Sequence, residues 1–391
     1  MSAAATPELR RTPLYEFHRR HGGHLVPFAG WEMPLYYTSI LAEHKAVREG
    51  VGLFDVAHMG VLRLEGGHAG ALLARRTTLN APKLAPGQAR YSFLLEATGN
   101  IVDDLLITRL DTGAELVPTF LTVPNAGRAA EIEEILQQHR GPDTTVERLN
   151  DRATLVAVQG PGSRKLLEGL FGWDLGGVAF YHARWFPATP GTGEKTGRLG
   201  PHPPEGLAHE FLVSRTGYTG ELGYEILMRP DRADAVAESI VRAGATPVGL
   251  GARDTLRLEK GFLLSGQEFH RDRSPLEAGQ ERFVDFDHDF VGRPPLDKQK
   301  AEGPAELLVG LEVAEPGAIP RHGTPIAAPG GVATVATSGG LSPGLGHGIA
   351  LGYLPRALAV PGTTVTFSLR GRDVPGRVVP LPFVKSVRTR T

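Results

Sequence analysis

Apolar residues recur along this chain with two different periods, and the period distinguishes helices from strands. The clearest helix is predicted at 39–49, with Ser39 as its N-cap and Gly50 at its end. Further helices are predicted at 9–21, 67–76, 126–139, 161–170, 232–243 and 251–261. Strands are predicted within 51–64 and at 90–95, 101–109 and 155–160. The polar and aromatic stretch at 28–37 predicts a loop.

After about residue 290 the pattern changes to short alternating runs separated by glycine and proline. The runs are 307–312, 331–338, 349–353, 363–369 and 376–379. Short strands at this spacing are typical of a sandwich or a barrel. We therefore expect an α+β fold, in which an α/β or α+β body precedes an all-β module. Residues 186–209, rich in Gly, Pro and His, predict a surface insertion.

Composition excludes several classes of protein. The 391 residues are too many for one compact core, so two or three domains are expected. The charges of the 42 basic and 43 acidic side chains nearly cancel. The composition therefore shows no excess of positive charge that would favour binding to nucleic acid or to an anionic membrane. The absence of cysteine excludes disulfides, thiolate catalysis and Cys-ligated metals. With no apolar signal core and no membrane-length apolar run, a cytoplasmic protein is expected.

Two familiar motifs fail on physical grounds. Residues 340–344 match the G-x-S-x-G pattern of hydrolases, whose residue after serine must donate its N–H to an oxyanion. Here that residue is Pro343, which has no N–H. His18, His21 and His24 could share a helical face as metal ligands, but neighbouring arginines disfavour a dication. Neither a hydrolase nor a metal site is expected.

Two aspartates lie side by side inside the apolar strand 101–109. Strand side chains alternate between faces, so Asp103 and Asp104 are expected to point in opposite directions. At least one carboxylate then faces an enclosed surface, where it needs a partner. Either both bond loop amides, or one lies on a pocket floor and bonds a cationic or N–H-rich ligand. Periodicity leaves both possibilities open.

Two glycine-rich segments, 213–225 and 249–259, predict the walls of a pocket. The first places Tyr218 and Glu225 around three glycines. The second places Arg253 in the first turn of a helix, where a cation opposes the helix dipole. Arg253 therefore either binds an anionic ligand or pairs with an internal acid such as Glu225. A flat ligand with N–H groups at one end and carboxylates at the other fits, for example a pterin with a glutamate tail.

At these motifs the sequence resembles the aminomethyltransferase of the glycine cleavage system, the T-protein family. The similarity is carried by residues 28–37, 44–48, 52–60, 91–92, 101–105, 159–161, 214–225, 249–259 and 337–343. It implies a folate-binding α/β region of two interwoven subdomains at 1–288. It also implies a C-terminal β-barrel at 289–391, in a cloverleaf arrangement.

The resemblance further implies a reaction and a site. The family moves the methylene of an aminomethyl group from the lipoyl arm of H-protein to tetrahydrofolate, its co-substrate, without a metal. The P- and L-proteins are functionally linked partners. Asp104 matches the catalytic aspartate, which holds the pterin and activates a folate nitrogen. The implied folate-binding residues are Met59, Tyr91, Asp104, Asn125, Tyr218, Glu225 and Arg253.

Two alternatives remain. Another tetrahydrofolate-dependent demethylase or methyltransferase of the same superfamily would use a different donor. A non-catalytic folate-binding protein of iron–sulfur maintenance resembles Lys260-Gly261 and Gly266-Gln267-Glu268, but carries a cysteine in that loop, and this chain has none. The chain also departs from the family at Ala57, at 280–283 and in the 186–209 insertion.

Overall fold

The structure is a computed structural model, and it describes residues 8–110, 117–188, 195, 197–198 and 210–385. Most of the predicted insertion at 186–209 lies outside these residues. In the ranges described, no helix combines the length and the apolar character needed to cross a membrane.

The predicted helices are present, with shifts of one to a few residues at most ends. The α-helices in the described ranges are α1 (Tyr15–Arg20), α2 (Ile40–Glu49), α3 (Ala69–Arg76), α4 (Ala129–His139), α5 (Ser163–Phe171), α6 (Pro230–Arg242), α7 (Leu250–Glu259) and α8 (Arg293–Glu302). Ser39 caps α2 as predicted, because its hydroxyl accepts a hydrogen bond from the Ala42 N–H at 3.2 Å. The helix predicted at 9–21 is shorter than expected, and α8 was not predicted. In α8 only Leu296 is buried, so its apolar periodicity is weak.

The first two strands correct a prediction, because 28–37 is not simply a loop. Strands β1 (His24–Phe28) and β2 (Trp31–Tyr36) form an antiparallel hairpin. Ala29 and Gly30 connect them, with φ of 48° and 80°. Both residues thus have the positive φ that a tight two-residue hairpin turn requires. Ala-Gly is a weaker sequence signal for this turn than Asn-Gly, which explains the wrong prediction.

Two sheets form the body, and one is nested inside the other in sequence. Their strands are β3 (Gly52–Asp55), β4 (Leu62–Glu65), β5 (Ala89–Leu95), β6 (Ile101–Arg109), β7 (Thr119–Pro124), β8 (Thr145–Arg148), β9 (Thr154–Gln159), β10 (Ala183–Pro187), β11 (Glu210–Ser214), β12 (Gly223–Met228) and β13 (Thr246–Val248). One sheet has the order β10-β11-β12-β9-β3-β13, and the other β5-β6-β7-β4-β8. All strands of the second sheet therefore come after β3 and before β9 in the sequence, although β3 and β9 are neighbours in the first sheet. This order confirms the interwoven subdomains.

Hydrophobic packing joins these sheets to each other and to the barrel. Phe54 and Leu155 of the first sheet share a buried cluster with Leu121 of the second and Leu256 of α7. This places α7 beside the interface between the sheets. Burial of apolar surface at such an interface is the main force that holds the two subdomains together.

The C-terminal strands close into a barrel, as predicted. They are β14 (Glu306–Val313), β15 (Pro325–Ala328), β16 (Val332–Ser342), β17 (His347–Pro355), β18 (Thr364–Leu369) and β19 (Arg372–Val379). Their order in the closed barrel is β14-β17-β16-β15-β18-β19. A separate buried cluster contains Phe93 of β5, Leu258 of α7 and Ile349 of β17. The barrel thus packs against the same helix that lies beside the sheet interface.

Candidate functional site

The acidic strand β6 brings two carboxylates to one amide. The Asn125 side-chain Nδ2 donates to Asp103 Oδ1 at 2.9 Å and to Asp104 Oδ1 at 2.6 Å. The Asn125 backbone N–H also donates to Asp103 Oδ2 at 3.0 Å. The expectation that the carboxylates point apart is wrong at their charged ends. Strand β7 ends at Pro124, so Asn125 lies beyond the ladder, where its amide reaches both acids.

Tyr91 completes this acidic cluster from the neighbouring strand β5. Its hydroxyl donates to Asp104 Oδ2. Burial raises the pKa of Asp104 above the ordinary aspartate range, although Tyr91 and Asn125 oppose this shift. Burial and then the negative charge of Asp104 raise the pKa of Asp103 to about 7. The pair can therefore hold a proton close to neutral pH.

The glycine-rich segment between β11 and β12 is a hairpin connection built around Gln159. The Gln159 Nε2 donates to the Thr216 carbonyl at 3.1 Å, and the Thr219 hydroxyl donates to Gln159 Oε1 at 2.9 Å. A Cβ on Gly223 would lie 2.3 Å from Gln159 Cδ, far inside contact distance. Glycine is thus required here for close approach.

Tyr218 and Arg253 meet at the other end of the site. The Tyr218 hydroxyl donates to the Leu263 carbonyl, and the Arg253 guanidinium carbon lies 4.8 Å from the centroid of the Tyr218 ring. Tyr218 is also within electrostatic range of Asp104, so it lies between the acidic cluster and the arginine.

Arg253 forms no ion pair with a carboxylate in the described part of the chain, so the proposed internal pair with Glu225 is not made. Glu225 instead accepts a hydrogen bond from the Thr216 hydroxyl. Burial raises the pKa of Glu225, while Thr216 and the charge of Arg253 lower it by less. On the same helix as Arg253, Arg257 Nε donates to Asp254 Oδ1 at 2.8 Å.

His58 is a site residue that sequence reasoning did not select. Its side chain is buried, its ring centroid lies 5.6 Å from that of Phe28 in an edge-on contact, and its Nδ1 is enclosed without a partner among the described residues. Burial, and then the nearby charge of Arg253, lower the pKa of His58 to about 4, so the ring is neutral at pH 7. Met59 follows it and packs against the sheet-interface cluster. The other six predicted residues are linked to one another by hydrogen bonds, a ring contact and electrostatic interactions, whereas Met59 is only next to His58 in the sequence.

The loop that carries His58 is anchored by a buried polar network. The Asp55 carboxylate bonds His18 Nε2 at 2.8 Å and accepts a hydrogen bond from the Ala57 N–H at 2.8 Å. Burial raises the pKa of Asp55, but these bonds outweigh burial and lower it below the ordinary value. The Tyr37 hydroxyl lies 2.8 Å from His18 Nδ1. His18 is therefore a structural residue. Over the residues described, no three His, Cys, Asp or Glu side chains are grouped to hold a metal ion.

The arrangement has a definite polarity. The Tyr218 ring has the Arg253 guanidinium against it and interacts electrostatically with Asp104 of the acid pair, and Arg253 has no carboxylate ion pair among the described residues. Such a site suits an elongated ligand with hydrogen-bond donors at one end and an anionic group at the other.

Comparison with known proteins identifies the family of the chain. Residues 14–191 and 205–288 match the family model described as the GCVT N-terminal domain, and residues 307–385 match the glycine cleavage T-protein C-terminal barrel domain. The aminomethyltransferase of Halothermothrix orenii is 41% identical over 381 residues, covering 96% of this chain and 100% of that protein. That of Rubrobacter xylanophilus is 41% identical over 393 residues, covering 99% and 98%.

A solved structure also matches over almost its whole length. The glycine cleavage system aminomethyltransferase T from Bartonella henselae superposes with a TM-score of 0.84 at 33% identity, covering 97% of this chain and 99% of that one. Fold and sequence together define an aminomethyltransferase, an enzyme of the transferase class. More narrowly, the chain belongs to the glycine cleavage T-protein family.

Proposed function

We propose that the chain transfers a methylene group from an aminomethylated lipoyl arm to tetrahydrofolate. Two folate nitrogens form bonds to the methylene carbon, whose bonds to the amine nitrogen and to the lipoyl sulfur break. The two protons lost from the folate nitrogens leave on ammonia and on the thiol. The products are 5,10-methylenetetrahydrofolate, ammonia and the dihydrolipoyl carrier, so atoms and electrons balance without an external oxidant.

The single observation that carries this proposal is the acid cluster of Tyr91, Asp104 and Asn125 inside a chain of this family. The raised pKa of Asp104 makes its carboxylate a stronger base than an exposed aspartate. Its two oxygens are oriented by the Tyr91 hydroxyl and the Asn125 amide. A carboxylate held in this way can orient the N–H groups of a pterin and accept a proton as a folate nitrogen attacks.

Arg253 supports the assignment of the opposite end. A guanidinium with no carboxylate partner in the described chain suits the carboxylates of a glutamyl tail through its paired N–H groups. Tyr218, Glu225 and Met59 are proposed to line the pterin between the two ends. Tetrahydrofolate is a co-substrate in this proposal, and no metal takes part.

The carrier is proposed to be lipoylated H-protein, which links the reaction to the P- and L-proteins of glycine catabolism. Family membership supports this part of the proposal. The proposed domains are a folate-binding region at 1–288 and a barrel domain at 289–391, consistent with the separate matches to 14–288 and 307–385.

The direct test mixes purified protein, tetrahydrofolate and aminomethylated lipoyl carrier, and measures ammonia and methylenetetrahydrofolate. We expect equal amounts of both products from the wild type. We expect the rate to fall at least about a hundredfold in Asp104→Asn, because an oriented base is lost. The Asn variant should still fold, and retained turnover would contradict the role of Asp104.

The same assay separates the alternatives. Product with a methylated amine or sulfonium donor, but none with the lipoyl carrier, would favour another tetrahydrofolate-dependent demethylase. Folate binding without turnover on any donor would favour a non-catalytic maintenance protein.

A further inference from the structure

The loop 262–268, which follows α7, holds Tyr218 of the site and lies beside Asp103. The Leu263 carbonyl accepts the hydroxyl of Tyr218, and the Phe262 ring lies 5.7 Å from the Tyr218 ring. The nearby Ser265 side chain helps to lower the pKa of Asp103 against the effect of burial. A displacement of this loop therefore moves the contacts of Tyr218 and changes the surroundings of Asp103.

A buried ion pair holds this loop closed. Arg257 Nη1 donates to Glu268 Oε2 at 3.0 Å and to the Phe262 carbonyl at 3.1 Å. The Leu264 N–H donates to the same Glu268 oxygen at 2.8 Å. The side chains of Arg257 and Glu268 are 1% and 0% exposed. Because buried charges are stable only when fully paired, the remaining partners of this pair decide its geometry.

Two further partners of the ion pair come from the C-terminal barrel. The Thr337 hydroxyl donates to Glu268 Oε1 at 2.8 Å. Arg257 Nη2 donates to the Ser338 hydroxyl oxygen at 2.8 Å, and that hydroxyl donates to Gln267 Oε1 at 2.5 Å. Two neighbouring residues of β16 thus complete both halves of the ion pair.

A second contact from the same barrel segment reaches the end of α7. The Ser342 hydroxyl donates to Glu259 Oε1 at 2.6 Å, and the Gly344 N–H donates to the same oxygen at 2.8 Å. The failed hydrolase motif therefore serves as a contact to the helix that carries Arg253. Residues 337–344, which we name the barrel clasp, hold both that helix and the loop that follows it.

We propose that the barrel clasp is a positioning element of the ligand site, and that Thr337 and Ser338 are its positioning residues. They act through Glu268 and Arg257 and do not touch the substrate. The proposal rests on the proposed function for the identity of the ligand. Simple adhesion between domains would need only apolar contact, whereas these hydrogen bonds hold the loop whose Leu263 carbonyl accepts the Tyr218 hydroxyl.

The test compares Thr337→Val with Thr334→Val, two isosteric changes on the same strand. Thr337 bonds Glu268, whereas Thr334 pairs with Ile326 elsewhere in the barrel. Amide hydrogen exchange of the full-length protein reports on the loop, since the Leu264 amide is protected by Glu268. Tetrahydrofolate affinity and turnover report on the site.

For Thr337→Val we expect faster exchange at 262–268 and a loss of about tenfold in kcat/KM, since small misplacements near a site are costly. Thr337→Ser, which keeps the hydroxyl, should restore both, and Ser338→Ala should behave like Thr337→Val. Unchanged exchange in Thr337→Val would overturn the clasp itself. Faster exchange with wild-type binding and turnover would overturn its positioning role. A wild type that neither binds nor uses tetrahydrofolate would instead overturn the proposed function, and with it this role.

Discussion

Asp104→Asn should abolish turnover and yet make the protein more stable at alkaline pH. The gain in stability is expected because the negative charges of Asp103 and Asp104 repel each other in the folded protein. The Oδ1 atoms of both acids bond one Asn125 nitrogen, at 2.9 and 2.6 Å. Two charges about 5 Å apart repel by about 3 kcal/mol at an effective dielectric constant of about 20. Loss of one hydrogen bond offsets about 1 kcal/mol of this gain. The variant should therefore gain about 2 kcal/mol in the free energy of unfolding above pH 8.

The pH dependence of the free energy of unfolding shows whether repulsion between Asp103 and Asp104 causes the gain in stability. The folded pKa of Asp103 is raised from 3.8 to about 7, so the folded state holds more protons than the unfolded state in that window. The free energy of unfolding of the wild type therefore falls as pH rises from about 4 to about 7. At pH 5 Asp103 is protonated, the repulsion is absent, and the advantage of the variant should disappear.

Urea unfolding at pH 5, 7 and 8 measures this effect, with circular dichroism as the probe. The control is Glu49→Gln, which removes one exposed negative charge, paired loosely with Lys45 at 3.8 Å. Its effect should be small at every pH. A stability difference for Asp104→Asn that does not change between pH 5 and 8 would refute repulsion within the pair.

Three further changes test other parts of the molecule. Arg253→Ala should weaken binding of a glutamylated folate by about 10- to 100-fold but leave a tailless pterin almost unaffected, and equal losses by titration calorimetry would contradict tail recognition. Burial raises the pKa of Glu259, but the His44 ring 3.3 Å away and the hydrogen bond from the Ser342 hydroxyl outweigh it, so this pKa falls from 4.5 to about 2. That stabilisation is present above pH 4.5 and is lost as pH falls towards 2, so Glu259→Gln should cost about 3 kcal/mol at pH 7 and progressively less below pH 4.5 in urea titrations. Gly223→Ala should cost about 2 kcal/mol by thermal unfolding, because its Cβ overlaps Gln159, and a neutral effect would show that the turn relaxes easily.

Most of the secondary structure that was predicted correctly could be predicted from short sequence patterns, such as helix caps and apolar runs. Ser39 and Gly50 delimited α2 because caps are properties of a few adjacent residues. The strand at Ile101–Arg109 was predicted with its exact observed bounds, since its apolar run is long and flanked by turn residues. Elements with weak local signals, such as the β1–β2 hairpin and α8, were not predicted, and neither were the strands β7, β8 and β10 to β13.

The site residues, like the secondary structure, could be predicted only in part from the sequence. Sequence alone indicated that at least one of Asp103 and Asp104, together with Tyr218 and Arg253, was out of place in an ordinary core, because charged and polar groups there require partners. It could not identify those partners, which lie far away in the chain. Asn125 reaches both acids only because β7 lies beside β6 and ends at Pro124.

The chain by itself determined the kinds of element, the class of fold and the chemical types available to a site. Tertiary structure alone decided that Asp103 and Asp104 share one amide, that Arg253 meets Tyr218 without pairing with Glu225, and that the barrel clasp reaches α7. The reason is physical. Propensity and periodicity act over a few residues, whereas burial, repulsion between charges and long-range hydrogen bonds depend on distances that exist only after the chain has folded.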